Sequence, residues 1–272
     1  MEKKRLATVV GMAVCVIFAA LAPWLIHGRM PWRDGCVAWV FDVGQGDGIF
    51  LDCPGGQVVI DGGPSESFSE HLSEVMPFWD RSINLVINTH PHADHYVGLI
   101  DVLDRYRVGQ VWTSGQGSPA QAYENFMHQD VYYRAVQAGD AFSLGEDIVL
   151  TVVSPKESYD GQFLEDPNAG SLVVLLSVRG QKMLFTGDAG TEQEQMFMQE
   201  VGDIDILKVG HHGSLTSSDW IFLQEIDPEV AIFSVGENSY GHPHPVVLDR
   251  FERLGIDLLR TDEEGSVRID VF

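Results

Sequence analysis

The residues best able to do chemistry stand in one short run. His90, His92, Asp94 and His95 fall within six residues, directly after an apolar run at 83–88. Imidazole and carboxylate groups are the ligands that hold zinc, and also manganese or iron. An extended backbone can aim His90 and His92 at one ion, and a helix start can aim Asp94 and His95 at a second. The spacing therefore predicts a metal centre with room for two ions.

Further polar clusters follow predicted strands or open a predicted helix. Asp188 follows one strand, and the pair His211 and His212 follows the next. A single carboxylate can bridge two metal ions about 3.5 to 4 Å apart, which gives Asp188 a role beside the first cluster. His242 and His244 open a late helix, so seven of the ten histidines fall in three short motifs. This grouping favours a functional centre over scattered surface residues.

The elements that must position these clusters are predicted from apolar periodicity and turn residues. We predict strands at 37–43, 48–53, 57–60, 83–88, 110–113, 148–153, 171–178, 182–186, 205–209, 230–234 and 266–271. We predict helices at 65–79, 94–106, 119–137, 191–201, 216–226 and 245–254, and a connection with a sheet edge at 255–260. Hairpins followed by strands that alternate with helices favour an α/β fold with a mixed sheet or two sheets. Residues 31–272 are predicted to form one domain.

The composition limits the function classes. The chain has 17 Lys and Arg against 40 Asp and Glu, a formal net charge of −23. Such a chain has no general attraction for polyanions, which excludes a DNA-coating role. Three cysteines without a C-x-x-C pair exclude a disulfide scaffold and a structural zinc site of that kind. Cys36 and Cys53 either pair across neighbouring strands or pack as free thiols.

The first 30 residues are predicted to be a separate segment. An uncharged apolar run spans 6–26, which is 21 residues and about 30 Å as a helix. It predicts a membrane anchor or a long signal peptide. Pro23 directly follows a small-residue site at 20–22 and should hinder cleavage there, which favours an uncleaved anchor over 1–30. Three basic residues before the run place the domain outside the cytoplasm, or the domain is secreted if the segment is cleaved.

The motifs resemble those of the metallo-β-lactamase superfamily, whose signature is similar to the histidine and aspartate pattern at 90–95. The chain is similar in particular to the metallo-β-lactamase-like domain of the ComEC-type competence proteins. This similarity lies in the runs at 41–47, 184–188, 208–214, 240–245 and 260–262. The resemblance covers about 37–271 and implies an αββα sandwich, the metallo-β-lactamase fold, with its site at one edge of the sheets.

The resemblance also implies the ligand set, with His90 and His92 on the first metal and Asp188 bridging. The second metal is assigned to Asp94, His95 and His211. His211 is chosen because it comes first off its strand, and His212 is the alternative. A third histidine that usually joins the first metal is absent, and Asn168 or Ser171 stands in that region instead.

The predicted function is metal-dependent hydrolysis of phosphodiesters, with two Zn²⁺ or Mn²⁺ ions that lower the pKa of a bound water to about 7. The candidates for catalysis are Asp94, His212 and His242. The candidates for contact with phosphate are Lys208, Ser214 and His244, with Asn168 and Ser171 lining the gap. Asp47 and Asp61 are predicted to be structural turn residues.

Several interpretations of the substrate remain open. DNA is suggested by the competence resemblance, although the negative charge counts against binding of long DNA by the domain alone. In the competence proteins this domain accompanies a multi-span channel. Only one predicted span is present in this sequence, so DNA uptake is not inferred. The alternatives are hydrolysis of another extracytoplasmic ester, such as a phosphorylated envelope component or a lactone, and a metal-binding module without turnover.

Overall fold

Two sheets of seven strands each form the centre of the structure, a computed structural model that describes residues 34–272. The strands are β1 (Cys36–Val40), β2 (Gly48–Cys53), β3 (Gly56–Gly62), β4 (Ser82–Ile83), β5 (Leu85–Ile87), β6 (Arg107–Val108), β7 (Val111–Thr113), β8 (Tyr133–Ala135), β9 (Ala141–Gly145), β10 (Ile148–Ser154), β11 (Val173–Val178), β12 (Gln181–Phe185), β13 (Ile206–Lys208), β14 (Val230–Phe233), β15 (Asp257–Arg260) and β16 (Val267–Val271). The first sheet has the order β16-β1-β2-β3-β5-β7-β8 and the second β15-β14-β13-β12-β11-β10-β9, while β4 and β6 form a small separate pair.

The helices connect these strands and cover the sheets. They are α1 (Ser67–Val75), α2 (Ala93–Arg105), α3 (Gln121–Met127), α4 (Thr191–Val201), α5 (Trp220–Ile226), α6 (Pro245–Leu254) and α7 (Thr261–Glu264). Within residues 34–272, no helix combines the length and the apolar character that a membrane span needs. The predicted anchor or signal segment over 1–30 lies outside the described residues.

The core between the sheets follows from the two-residue period of the strands. In β10, Ile148, Leu150 and Val152 are buried, while the residues between them are only partly buried. Their buried side chains join those of β2 and β3 from the other sheet, such as Leu51 and Val58, in one apolar cluster. Because successive strand residues face opposite sides, the other face of each sheet is free for helices.

Two further apolar clusters fill the space between sheets and helices. On the first sheet, Phe68 of α1 and Leu99 of α2 pack with Val86 of β5. On the second sheet, Phe222 of α5 and Phe251 of α6 pack in a separate cluster. The layers are therefore helix, sheet, sheet, helix, and the prediction of a mixed α/β sandwich of this kind is confirmed.

Parallel pairing determines where the loops meet. β3, β5 and β7 run parallel in the first sheet, and β12, β13, β14 and β15 run parallel in the second. The segments after β3, β5, β12, β13 and β14 contain the polar clusters found in the sequence. Since parallel strands end at a common edge, these clusters are delivered to one side of the sandwich.

Most predicted elements are present with shifted ends, and one prediction is wrong in its second half. The helix predicted at 119–137 ends at Met127, and β8 follows at Tyr133–Ala135. Pairing of Tyr133 with Val111 of β7 decides this, because the edge of the first sheet offers backbone hydrogen bonds to the segment, whose side chains are at most partly buried. β9, at Ala141–Gly145, was not predicted, since only Leu144 in it is fully buried. The sheet edge predicted at 255–260 contains the edge strand β15.

The two cysteines whose state the sequence left open form a disulfide. Val37 of β1 lies opposite Asp52 of β2, which sets Cys36 beside Cys53. Both residues are buried at the inner face of the first sheet. The bond therefore fastens two neighbouring strands whose connecting loop, at 41–47, carries part of the site.

We expect reduction of this disulfide to destabilise the fold by about 3 kcal/mol, because it removes a closed loop of 17 residues from the unfolded chain. The free energy of unfolding in urea, measured with and without a reductant, tests this. The double variant Cys36→Ala, Cys53→Ala should start from the lower stability and show no response to the reductant. It keeps Cys15 and so controls for that thiol. An unchanged midpoint for the reduced wild-type chain would contradict the expectation.

Candidate metal centre

The start of α2 arranges the first cluster of ligands. β5 ends at Ile87, and a bend at His90 and Pro91 leads to His92, whose extended backbone caps the helix. The backbone carbonyl of His92 accepts from the amide of His95 at 3.0 Å, which forms the first helical turn. This turn presents Asp94 and His95 side by side, while His90 and His92 lie on the segment that precedes the helix. The Nε2 of His90 lies 3.0 Å from the Nδ1 of His92.

Asp188 lies at the centre of the converging groups. Its Oδ2 is 3.4 Å from the Nε2 of His95 and 3.8 Å from the Nε2 of His90. Its Oδ1 is 3.7 Å from the Nε2 of His212. The Oδ2 of Asp94 is 3.6 Å from the same nitrogen of His212. Two sets of side chains could each hold a metal ion, and His95 belongs to both. The first set is His90, His95 and Asp188, and the second is Asp94, His95 and His212; within each set the ligand atoms lie within 4.8 Å of one another.

The hydrogen-bonding state of these atoms fits bound cations. Among residues 34–272, the Nε2 atoms of His95 and His212 and the Oδ1 of Asp188 are buried without a hydrogen-bond partner. A buried polar atom left without a partner is costly, and such atoms in a native structure call for a ligand, water or ion. Imidazole nitrogen and carboxylate oxygen are suitable donors for divalent metals. The donor set therefore fits the predicted metals.

The remaining ring nitrogens are held by neighbouring groups. The Nδ1 of His95 lies 2.8 Å from Asp61, and the Nδ1 of His212 lies 2.9 Å from the carbonyl oxygen of Ser234. The Nδ1 of His90 lies 3.0 Å from the hydroxyl of Thr89. Contacts of this kind fix the ring orientation of metal-binding histidines and leave the other nitrogen free for the metal.

Asp61 connects two of these supports. It lies at a register shift within β3, between the paired residues Ile60 and Gly62, with a φ of 56°, and it is fully buried. Its carboxylate accepts from the amide of Thr89 at 2.8 Å and from the Thr89 hydroxyl at 2.6 Å, in addition to its contact with His95. The structural role predicted for Asp61 is thus a specific one, since it orients a candidate ligand.

The carboxylates of the site favour the cationic form of two histidines, His95 and His212. Burial acts to lower the pKa of His95, but the carboxylates of Asp188 and Asp61 outweigh it and raise the pKa well above its usual value. Burial also acts to lower the pKa of His212, but the negative charge of Asp188 and contacts with Asp47 and Asp94 outweigh it. The pKa of His212 is raised to about 9. Protons and metal ions therefore compete for the same nitrogens.

A buried ion pair lies behind the site. Lys208 and Asp47 are both fully buried and form a direct ion pair. Burial acts to raise the pKa of Asp47, but the charge of Lys208 outweighs it and lowers the pKa. The other Asp47 oxygen lies 3.4 Å from the Nδ1 of His212. Lys208, a candidate for contact with phosphate, is therefore turned toward Asp47 and does not line the cavity.

An open cavity of about 320 Å³ gives access to the candidate ligands. It is lined by Gln45, His92, Ala93, Asp94, Asp188, His211, His212, Tyr240 and His242. His212 is buried beneath this opening, whereas His211 is partly exposed, with its Nε2 3.8 Å from Asp188. The ring of His242 lies 5.7 Å from the ring of His211. Of the neighbouring histidines, the geometry thus favours His212 as the ligand and places His211 with His242 at the rim.

The other candidate residues lie around the site. Ser214 is buried with its hydroxyl 3.0 Å from that of Thr216, and His244 caps α6 by accepting from the amide of Val246. Neither residue lines the cavity. The hydroxyl of Ser171 accepts from the amide of Asp188 at 3.3 Å, so Ser171 supports the backbone of Asp188.

The region that lacks the usual third histidine forms a short 3₁₀ turn, Pro167–Gly170. Asn168 lies in this turn, outside the cavity lining, and its Oδ1 is buried without a hydrogen-bond partner in the described part of the chain.

Two lining residues with polar side chains, Gln45 and Tyr240, were missed as site residues. A signal was present, since Gln45 lies in the run at 41–47 and Tyr240 in the run at 240–245. Both runs had supported the family resemblance, but neither residue type is a metal ligand or a usual proton carrier. Residue chemistry alone therefore did not select them.

The fold and the metal-ligand arrangement agree with a match to a family model. Residues 41–236 match the metallo-beta-lactamase superfamily, and this range includes every candidate ligand of the two ions. The chain belongs to the metallo-β-lactamase superfamily. A solved structure shows the same fold: the metallo-beta-lactamase fold protein YhfI from Bacillus subtilis aligns with a TM-score of 0.59 and 9% identity, covering 86% of this chain and 100% of that one.

Within the superfamily, the similarity extends to competence proteins. The chain is 31% identical over 258 residues to ComE operon protein 3 of Bacillus subtilis (strain 168). The matched region covers 84% of this chain and 32% of the relative. It is 27% identical over 267 residues to Competence protein ComA of Neisseria gonorrhoeae. Here the matched region covers 91% of this chain and 35% of the relative. The chain thus spans about a third of the length of these relatives. The resemblance to a competence-type domain is confirmed.

The two neighbouring histidines should differ in their effect on metal binding. We expect His212→Ala to lose at least one bound metal per chain, because it removes a buried nitrogen that faces Asp94 and Asp188. His211→Ala should keep the metal content of the wild-type chain. Metal analysis by mass spectrometry after dialysis measures both. The opposite pattern would return the ligand role to His211.

Loss of the Asp61 support should weaken metal binding without removing a ligand. We expect Asp61→Asn to lower metal affinity by roughly 10- to 100-fold, because an amide cannot accept from Thr89 and orient His95 as a carboxylate does. Competition with a chelating dye measures the affinity, and circular dichroism checks the fold. Asp249→Asn, an exposed carboxylate on α6, is the matched control. Equal affinities for the two variants would exclude the supporting role.

Proposed function

We propose that this chain is a dinuclear metal-dependent hydrolase of phosphodiesters, with nucleic acid as its substrate class. The observation that carries the proposal is the set of buried, unpartnered ligand atoms on His95, His212 and Asp188. Asp188 and His212 line an open cavity together with Asp94, whose Oδ2 lies 3.6 Å from the Nε2 of His212. Buried polar atoms of this kind need a ligand, a water or an ion as a partner, and imidazole and carboxylate groups are suited to a metal ion.

The ligands divide into two sets in this proposal. His90 and His92 would hold the first ion, and Asp94, His95 and His212 the second. Asp188 would bridge, since both of its oxygens face imidazole nitrogens of the two sets. When bound, two divalent cations such as Zn²⁺ or Mn²⁺ would supply an acidified water and neutralise charge on a phosphodiester.

The rim histidines are suited to contact the substrate. Burial lowers the pKa of His242, and neighbouring His211 and His212 lower it further. Burial also lowers the pKa of His211. Both imidazoles are therefore largely neutral near pH 7, and a neutral ring can donate one hydrogen bond to a phosphate oxygen or pass a proton to a leaving group. We assign this role to His211 and His242, with the Nδ1 of His242 still without a partner among the described residues.

The character of the cavity supports a polar substrate. Its lining consists of imidazoles, carboxylates and an amide, apart from Ala93 and Tyr240. A lactone or lactam would gain from an apolar groove, and these two residues do not form one. One relative carries the name competence protein, and this supports nucleic acid over an envelope component as the substrate class.

We also propose that the domain works outside the cytoplasm, held to the membrane by residues 1–30, or is secreted if that segment is cleaved. The disulfide between Cys36 and Cys53 supports this location, because disulfides persist in oxidising compartments and are rare in the cytosol. The apolar run at 6–26 and the basic residues before it point the same way.

Removal of the bridging carboxylate should abolish turnover. We expect Asp188→Asn to reduce hydrolysis of bis(4-nitrophenyl) phosphate by the full chain more than roughly 100-fold, because it removes a ligand shared by both ions. A chelator should abolish the wild-type rate, and added Mn²⁺ or Zn²⁺ should restore it. Release of nitrophenolate, followed by absorbance, is the measurement.

Asp249→Asn, with its exposed carboxylate, should keep the wild-type rate. Full turnover by Asp188→Asn, or hydrolysis that a chelator does not affect, would refute the dinuclear mechanism. A metal-loaded wild-type chain that cleaves no phosphodiester would refute the proposed function and leave another ester substrate or a non-catalytic module.

A further inference from the structure

Tyr240 stands out among the residues that line the cavity. Its side chain is 73% exposed, although it borders the same opening as Asp94, Asp188 and His212. Its ring lies beside that of His242, with centroids 5.8 Å apart and an angle of 31° between the planes. His242 in turn lies 5.7 Å from His211. A row of rings thus leads from the solvent to the candidate metal ligands.

The backbone that carries Tyr240 is fixed by one side chain. The Oδ1 of Asn238 accepts from the amides of Tyr240 and His242, each at 3.1 Å. The Nδ2 of Asn238 donates to the carbonyl oxygens of Gly236 and His242 at 2.8 and 2.7 Å. These hydrogen bonds fix the backbone of the turn and so place the side chain of Tyr240 at the rim, where a partner can stack on its ring.

The charge of the cavity limits how an anionic polymer could be bound. Within residues 34–272, neither lysine nor arginine lines the opening, and Lys208 beneath it is paired with Asp47. The chain as a whole carries a formal charge of −23. Affinity for nucleic acid therefore cannot come from a basic surface that tracks the backbone. Apart from contacts at the cleaved phosphate, stacking of a base is the interaction that the rim offers.

We infer that Tyr240 forms a base-stacking subsite, which selects single-stranded nucleic acid with an unpaired base beside the cleaved phosphate. The inference rests on the proposed function and specifies its substrate. Every base has a flat face that can stack on an aromatic ring, so the subsite would tolerate any sequence. A base inside a duplex is already stacked and paired, and it would have to leave the helix to reach Tyr240.

Binding measurements test the subsite without relying on turnover. A fluorescent oligothymidylate with phosphorothioate linkages, which resist cleavage, is titrated with the full chain and Mn²⁺, and anisotropy is recorded. We expect Tyr240→Ala to weaken binding about 10-fold. Tyr240→Phe should stay within about twofold of wild type, because it keeps the ring. An abasic oligomer of the same length should bind equally to wild type and Tyr240→Ala.

The chain offers a matched control in Tyr132, which is 66% exposed. Tyr132 directly precedes β8, and its carbonyl accepts from the amide of Val111 at the start of β7. It therefore lies at the opposite end of these strands from the cavity, and Tyr132→Ala should bind oligothymidylate like wild type. Cleavage of a normal oligothymidylate should show a KM raised about 10-fold by Tyr240→Ala, with kcat nearly unchanged.

The outcomes separate the two proposals. Unchanged binding by Tyr240→Ala, or equal losses on the thymidylate and abasic oligomers, would overturn the base subsite even if phosphodiesters are cleaved. Binding that depends on Tyr240 in a chain without hydrolase activity would instead retain the subsite and refute the proposed hydrolysis.

Discussion

Three carboxylates lie at the edge of the two sheets where water cannot solvate them, and the compensation of their charge shapes the rest of the site. Asp47, Asp61 and Asp188 are each at most 2% exposed. An uncompensated buried charge costs several kcal/mol, so each must have a partner. Asp47 pairs with Lys208, Asp61 with His95, and Asp188 faces the imidazoles. The partnership of Asp188 is completed only when cations replace the protons on those rings.

The fold meets this requirement by bringing together segments that are far apart in the chain. The segment after β5 and those after β12 and β13 end at one edge because their strands run parallel. The loop at 41–47 closes the arrangement from the first sheet, and Gly46 in it approaches the backbone oxygen of Asp94 so closely that a Cβ atom would lie 2.3 Å away. Ser234, after β14, donates to the carbonyl of the same glycine. A side chain at position 46 would push the loop at 41–47 away from Asp94.

The division between floor and rim gives the site its chemical character. Below the opening, the histidine rings are buried, and neighbouring groups hold one nitrogen of each ring. This fixes the orientation of the other nitrogen, as metal binding requires. At the rim, His211, His242 and Tyr240 present neutral polar and aromatic surfaces to the solvent. An acidic protein with such a rim has little to hold a long duplex, which is consistent with the proposed preference for an unpaired base.

The sequence alone was enough to identify the candidate metal ligands at 90–95 and most of the helices and strands. The residues at 90–95 are contiguous, and a strand, a turn and a helix start suffice to aim them, so local structure decides their role. The two-residue apolar period likewise revealed strands such as β10, whereas the segment at 133–135 became a strand only because β7 offered a neighbouring edge. The choice between His211 and His212 was beyond the sequence, since both follow β13 in left-handed backbone conformations and only the three-dimensional turn shows which is buried. The direction of Lys208 and the pairing of Cys36 with Cys53 were decided in the same way, because they depend on which distant residue the packed sheets place opposite each side chain.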